Sequence, residues 1–284
     1  MVAWFVRGIR TRSLSHTQTT LPKFQLFSTL DQSTKIVYEQ KQMIKDLISV
    51  MFSICIVCCI ASCATKKPAP SKYLAYETKS FLTFPLKEEA FITWGGRKLS
   101  NNHHAISIDQ RFALDIVILG PGVGTSAYYL LGIEIGNSRK SFKGDKKNNE
   151  SYYCFGKELV APGKGTIVDV MDGIDDNVPC KFNKNNPSEN YIVIDHGSNE
   201  FSMMAHFKKN SIIVSKGDKV KSGDVLGQCG NSGNSSEPHL HYHLQNTPIW
   251  LKGEGLPAQF NHYFANDKYI ERGEPFRGQL VHSK

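Results

Sequence analysis

The chain has 284 residues, 40% hydrophobic and 21% charged, with 23 glycines and 12 prolines. This is ordinary globular composition, and it excludes a collagen, a coiled coil and a wholly disordered chain. The formal charge is +8, about half of it in the first 62 residues, which hold seven basic and three acidic side chains. No arginine-rich run or basic helix with interleaved aromatics follows, so no nucleic-acid partner is expected.

Residues 1–42 precede a second methionine, Met43, and look nothing like the head of an export signal. They are expected to be a non-native extension from an over-called start. Residues 43–63 run from a lysine-bearing head through an apolar stretch at 47–60 to small residues before Cys63, the order of a secretory signal. That stretch is shorter than the roughly twenty residues a membrane-spanning helix needs. Ile60-Ala61-Ser62-Cys63 resembles the bacterial lipobox, which implies cleavage before Cys63 and acylation of its thiol. The expectation is an exported protein anchored by lipid to a bacterial membrane, with the periplasmic face of the outer membrane as the preferred site.

Residues 64–79 are polar and contain two prolines, as in a tether. Residues 80–284 are expected to form the folded domain, with a C-terminal extension from about residue 250. Beyond the signal, Cys154, Cys180 and Cys229 remain, in what would be an oxidising compartment. Cys154 and Cys180 flank a strand pair and are the candidates for a bridge, with Cys229 a buried small hydrophobe. No Cys-x-x-Cys pair follows residue 63, which argues against a cysteine-based zinc site.

From residue 80 onward the apolar pattern is short and alternating, rich in β-branched residues and bounded by Gly, Asn, Asp and Pro. It predicts many brief strands and few short helices, a mainly β, antiparallel fold. Strands are expected at 112–119, 158–172, 191–195, 201–207, 225–229 and 239–244. Ala161-Pro162-Gly163-Lys164-Gly165 supplies a turn, and residues 195–200 form the turn of a hairpin. Residues 144–151 and 175–190 are polar enough for surface loops. The two Gly-Asp turns at Gly217 and Gly223 also occur in biotinyl and lipoyl carriers, but no lysine here sits at the hairpin tip a carrier requires.

Three of the ten histidines occupy positions 239, 241 and 243. On a strand this spacing aims all three rings to one face, while Leu240, Tyr242 and Leu244 take the other. Strand histidines cannot complete a zinc site alone, since zinc wants about four ligands and a catalytic site leaves one position open. Asp115 is an acid inside an otherwise apolar strand, and a buried carboxylate needs a cation or donors. His103 and His104 lie upstream, and His206 ends another apolar strand.

Together these segments resemble the lysostaphin/LytM-like zinc endopeptidases, which cut peptide bonds in bacterial cell walls. Gly230-Asn231-Ser232-Gly233 leading to His239-Leu240-His241 is similar to the family's closing motif, Met203-Met204-Ala205-His206 to the segment before it, and residues 158–170 to its hairpin. The resemblance implies a barrel-sandwich of the LytM, or duplicated hybrid motif, type. It implies one Zn2+ ion held by His104, Asp115 and His241, and catalytic roles for His206 and His239. The family spaces its first histidine four residues before the aspartate, but position 111 is Arg. The histidine therefore comes from further back, His104 with His103 as competitor.

Such a set leaves zinc an open position, where a water of pKa near 7 becomes a nucleophile. The two remaining histidines are suited to move its proton and to stabilise the oxyanion, with the base among them left open. His243 is either a support for a ligand or a packing residue. The function expected is hydrolysis of peptidoglycan peptide stems or cross-bridges by a metal-activated water. The alternatives are an inactive relative that binds the wall and regulates amidases, and a peptidase acting on other proteins. The scissile bond and the oligomeric state are not legible.

Overall fold

The structure, a computed structural model, describes residues 67–121, 139–181, 189–250 and 252–284, all within one compact unit, Lys66–Lys284. The expected signal at 43–63, with Cys63, and the stretch 1–42 lie outside the described residues. Thirteen strands are described. They are β1 (Ala90–Trp94), β2 (Leu114–Val117), β3 (Glu158–Val160), β4 (Gly165–Met171), β5 (Tyr191–Asp195), β6 (Phe201–Ala205) and β7 (Lys219–Val220). The rest are β8 (Val225–Gln228), β9 (Leu240–Gln245), β10 (Gly255–Leu256), β11 (Phe260–Ala265), β12 (Lys268–Gly273) and β13 (Leu280–Ser283). The helical elements described are single turns at His103–Ile106 and Asn149–Ser151. The fold is mainly antiparallel β, as the alternating pattern predicted.

The main sheet runs β12-β11-β13-β1-β2-β9-β6-β5-β4-β7, with β10 also on β9, and β3 pairs β8 in a second sheet. β9 is central because both its edges are used. Its even positions, Leu240, Tyr242 and Leu244, enter the main core beside Leu114, Ile116, Met204 and Phe260. That burial fixes the register, since a slip of one residue would send the histidines into the core.

Two expectations are corrected. The strand predicted at 158–172 is broken: β3 and β4 belong to different sheets, because Pro162 has no amide hydrogen to extend the ladder. A Cβ at Gly165 would also meet the Asp195 carbonyl at 2.5 Å. The segment predicted as a tether packs well before residue 80. Thr78 is buried, and the Glu200 carboxylate accepts from the Tyr76 hydroxyl at 2.7 Å and the Lys79 and Ser80 amides at 2.6 and 2.7 Å. The C-terminal extension from about residue 250 joins the main sheet, where β13 pairs β1 through Ala90 with Val281 and Phe91 with Leu280.

Candidate metal centre

Strand register assembles the centre. Asp115 on β2 and His241 on β9 are direct cross-strand partners, and His241 also faces Ala205 on β6. Directly opposed residues share a face of the sheet. The Asp115 Oδ1 lies 2.9 Å from His241 Nδ1 and its Oδ2 lies 3.0 Å from His104 Nε2.

His104 reaches this point from a turn, not a strand. Fully buried Asn102 caps that turn: its Oδ1 accepts from the His104 amide at 3.0 Å, while its Nδ2 donates to Gly96 and Ala113 carbonyls, both at 3.0 Å. An asparagine in this place is the ordinary N-cap choice, and it ties the turn to the strand that bears Asp115. His103 is exposed, with its ring edge-on to Trp94. One ligand atom each from His103, His104 and Asp115 lie within 4.8 Å of one another, so both adjacent histidines are near the carboxylate, and His104 is the one in direct contact.

His206 follows the last residue of β6. Extended backbone there would turn its ring toward the core face, but His206 has φ 66°. This left-handed conformation is uncommon outside glycine and asparagine, and such strain concentrates at functional sites. It carries the ring to centroid distances of 4.6 Å from His239 and 5.8 Å from His241. His206 Nδ1 lies 2.8 Å from the Ser232 carbonyl and 3.0 Å from a Glu189 carboxylate oxygen. Both are acceptors, so Nδ1 holds the proton and Nε2 is left for the cavity. His239 is held likewise: its Nδ1 lies 2.8 Å from the Glu237 carbonyl, and its Nε2 lies 3.7 Å from Asp115 Oδ1. Trp94, His103, His104, Asp115, His206, His239 and His241 share a cavity of about 270 Å³.

A relay behind His241 sets its tautomer. Gln245 Nε2 donates to the Thr247 and Ile249 carbonyls at 2.7 and 2.8 Å, so its Oε1 faces His243 Nε2 at 3.1 Å. His243 Nε2 must donate there, and its Nδ1 must accept from His241 Nε2, also at 3.1 Å. The only protonated nitrogen of a neutral His241 is therefore Nε2. Its bare Nδ1 points at a carboxylate oxygen 2.9 Å away, two acceptors with no hydrogen between them.

Electrostatics agree with this arrangement. Burial, then the neighbouring His104, hold His241 well below the ordinary imidazole range, against the pull of the Asp115 carboxylate. Burial pushes the Asp115 carboxyl up, but the charge and hydrogen bond of His104, the contact with His241 and the charge of His239 outweigh it, and Asp115 lies well below the usual carboxylate range. Burial and then the neighbouring His206 push His239 down to about 4. Burial also lowers His206, yet the hydrogen bond and charge of Glu189 raise it overall.

These donors fit a divalent cation. Facing acceptors with a depressed carboxyl are unfavourable unless a cation lies between them, and a carboxylate with imidazole nitrogens is a zinc donor set. Sequence reading named the five residues gathered here but left Asn102 unassigned, and it missed Glu189 and Gln245. Gln245 had a signal, since it continues the period of two through 239, 241 and 243. Glu189 had none: it follows a polar loop and reaches His206 only through the fold.

Residues 153–252 match the model of Peptidase family M23; His104 and Asp115 lie before this stretch. An uncharacterized metalloprotease from Buchnera aphidicola is 38% identical over 96 residues, 34% of this chain and 23% of that protein. A peptidoglycan DD-endopeptidase, ShyA, from Vibrio cholerae is 44% identical over 62 residues, 22% of this chain and 14% of that protein. The matched stretch thus spans less than a quarter of either relative. Among solved structures, a zinc-containing peptidase from Vibrio cholerae is 19% identical, covering 63% of this chain and 41% of that chain, with a TM-score of 0.34. The resemblance read from the motifs and the family match agree: residues 153–252 of this chain are similar to peptidase family M23.

Proposed function

We propose that this protein is a zinc-dependent endopeptidase that hydrolyses peptide cross-links of bacterial peptidoglycan. The observation that carries the reading is the bare His241 Nδ1 facing Asp115 Oδ1 at 2.9 Å, inside a cavity that His206 and His239 also line. The family match and the peptidoglycan endopeptidase among the relatives support the substrate class.

In this reading His104, Asp115 and His241 hold one zinc ion. When bound, the ion supplies Lewis acidity, which brings the pKa of water to about 7 and polarises a carbonyl. The protein residues do the rest. Each of His206 and His239 gives its Nδ1 proton to a fixed acceptor, so both rings are oriented and both act on the cavity through Nε2. His206, paired with Glu189, is the ring suited to carry a proton there and to donate a hydrogen bond to an oxygen gaining negative charge. His239, whose Nδ1 meets the neutral Glu237 carbonyl and the Ser235 hydroxyl, is the ring suited to take a proton from the attacking water. Trp94 and Thr93 on β1, with Asn234, Ser236 and Glu237, border the cavity and would contact the peptide on either side of the scissile bond.

We further infer export through the signal at 43–63 and a lipid anchor on Cys63, with the domain facing the wall. This rests on the signal-like sequence, and it brings enzyme and substrate into one compartment.

The test is digestion of purified sacculi by the protein with and without a chelator, with mass analysis of the fragments. Release of cut peptide stems, lost with chelator and restored by zinc, is expected. Intact sacculi in the presence of zinc would overturn the hydrolytic reading and favour the wall-binding regulator.

A further inference from the structure

Two thiols that take no part in the proposed chemistry meet in the main core. Cys154 and Cys229 are 75 residues apart in sequence, both fully buried in the main core, with Sγ atoms 2.7 Å apart. Non-bonded carbon atoms rest at about 3.5–4.0 Å and sulfur is larger, so these sulfurs are closer than two packed thiols stay. Their backbones are already tied. The Gly156 amide donates to the Cys229 carbonyl at 2.8 Å, and the Cys229 amide to the Lys157 carbonyl at 2.7 Å. Cys180, the bridge partner expected from sequence, is instead exposed.

The segment after Cys229 supports His206. The Gly230 amide donates to the His206 carbonyl at 2.9 Å, the Asn231 amide to Asp176 at 2.6 Å, and the Ser232 carbonyl receives the His206 ring. A Cβ at Gly230 would meet the Lys208 backbone at 2.3 Å, so this segment is packed directly against the one that follows His206.

We propose that Cys154 and Cys229 form a disulfide that locks the segment holding His206 to the loop before β3. The oxidant is a disulfide, either glutathione disulfide or that of a thiol–disulfide oxidoreductase. One cysteine thiolate attacks it, forming a mixed disulfide and releasing one oxidant thiol. The second cysteine then displaces the other. Both cysteine protons leave, and the two electrons end on the oxidant's sulfurs. Burial pushes the Cys229 thiol well above its ordinary range, so exchange takes place while the core is open, and the closed fold shields the bond afterwards. The pairing stands on this geometry and not on the hydrolytic reading.

The test uses the full chain, incubated with mixtures of oxidised and reduced glutathione in mild denaturant. After acid quench and alkylation, unreduced peptides are mapped by mass spectrometry, which assigns pairs whatever the state of the other cysteines. A cross-linked peptide joining Cys154 to Cys229 and lost on reduction is expected. The oxidised protein should melt about 5–10 °C above the reduced one, and Cys180→Ser should keep that difference. Alkylation of both Cys154 and Cys229 at every glutathione ratio, or a peptide joining Cys180 to either, would overturn the proposal.

Discussion

Asp115 and His241 come from strands 126 residues apart in sequence, yet they sit directly opposite each other with Oδ1 and Nδ1 at 2.9 Å. With His241 neutral and its proton on Nε2, neither atom has a hydrogen to share, which suits the pair to the cation proposed above. Without a cation, two buried acceptors face each other at a cost in free energy, and removing His241 takes one of them away. His241→Ala is therefore expected to lose metal and activity together. Metal analysis of purified variant and wild type checks this; a variant that keeps its metal would refute the ligand assignment.

The relay from His241 through His243 to Gln245 makes a distant prediction. Gln245→Leu removes the acceptor that fixes the His243 tautomer, and so frees His241 to protonate Nδ1. Loss of such supporting hydrogen bonds typically costs 10–100-fold in metal affinity. Chelator competition should show a weakening on the order of tenfold or more, with unchanged circular dichroism. Equal affinity in variant and wild type would mean that His243 is only packing.

Glu189 touches the His206 ring at 3.0 Å, and none of the three proposed ligands is in its reach through a bond described here. Glu189→Gln should leave metal content unchanged while lowering kcat by roughly 10–100-fold, a fraction of what a positioned acid or base contributes. A loss of zinc in this variant would place Glu189 in metal binding instead.

Glu200 anchors the segment before residue 80. Burial raises its carboxyl, but hydrogen bonds from Ser80, the Lys79 amide and Tyr76 lower it further, and the net shift is downward. Its stabilising contribution is therefore complete above the unfolded carboxyl range, near pH 4.3. It is lost as pH falls through the depressed folded value. Glu200→Gln should cost about 1–3 kcal/mol at neutral pH, with the difference from wild type shrinking below about pH 4. Denaturant unfolding across that range measures it; a difference that grows toward acid pH would be contrary.

The parts legible in the sequence were those with a local period. The alternation at 239–244 gave both the β9 core face and the histidine face, and β5 at 191–195 was read to the residue. What was missed depends on distant partners. β1 is five residues long and gains its place only between β2 and β13. The segment at 67–79 looks like a tether because its anchor is a glutamate 120 residues away. His206 was read as the end of a strand, but its positive φ, which turns the ring into the cavity, carries no signature in a residue other than glycine. Which cysteines lie together was illegible for the same reason, since spacing does not reveal that the fold brings Cys154 beside Cys229.

The most direct measurement of the central claim is anomalous diffraction at the zinc edge from crystals of the zinc-loaded protein. One peak within about 2.0–2.2 Å of His104, Asp115 and His241, with His206 and His239 nearby but not bonded, is the expected result. No peak, or a peak that takes His103 and leaves His241 free, would contradict the account.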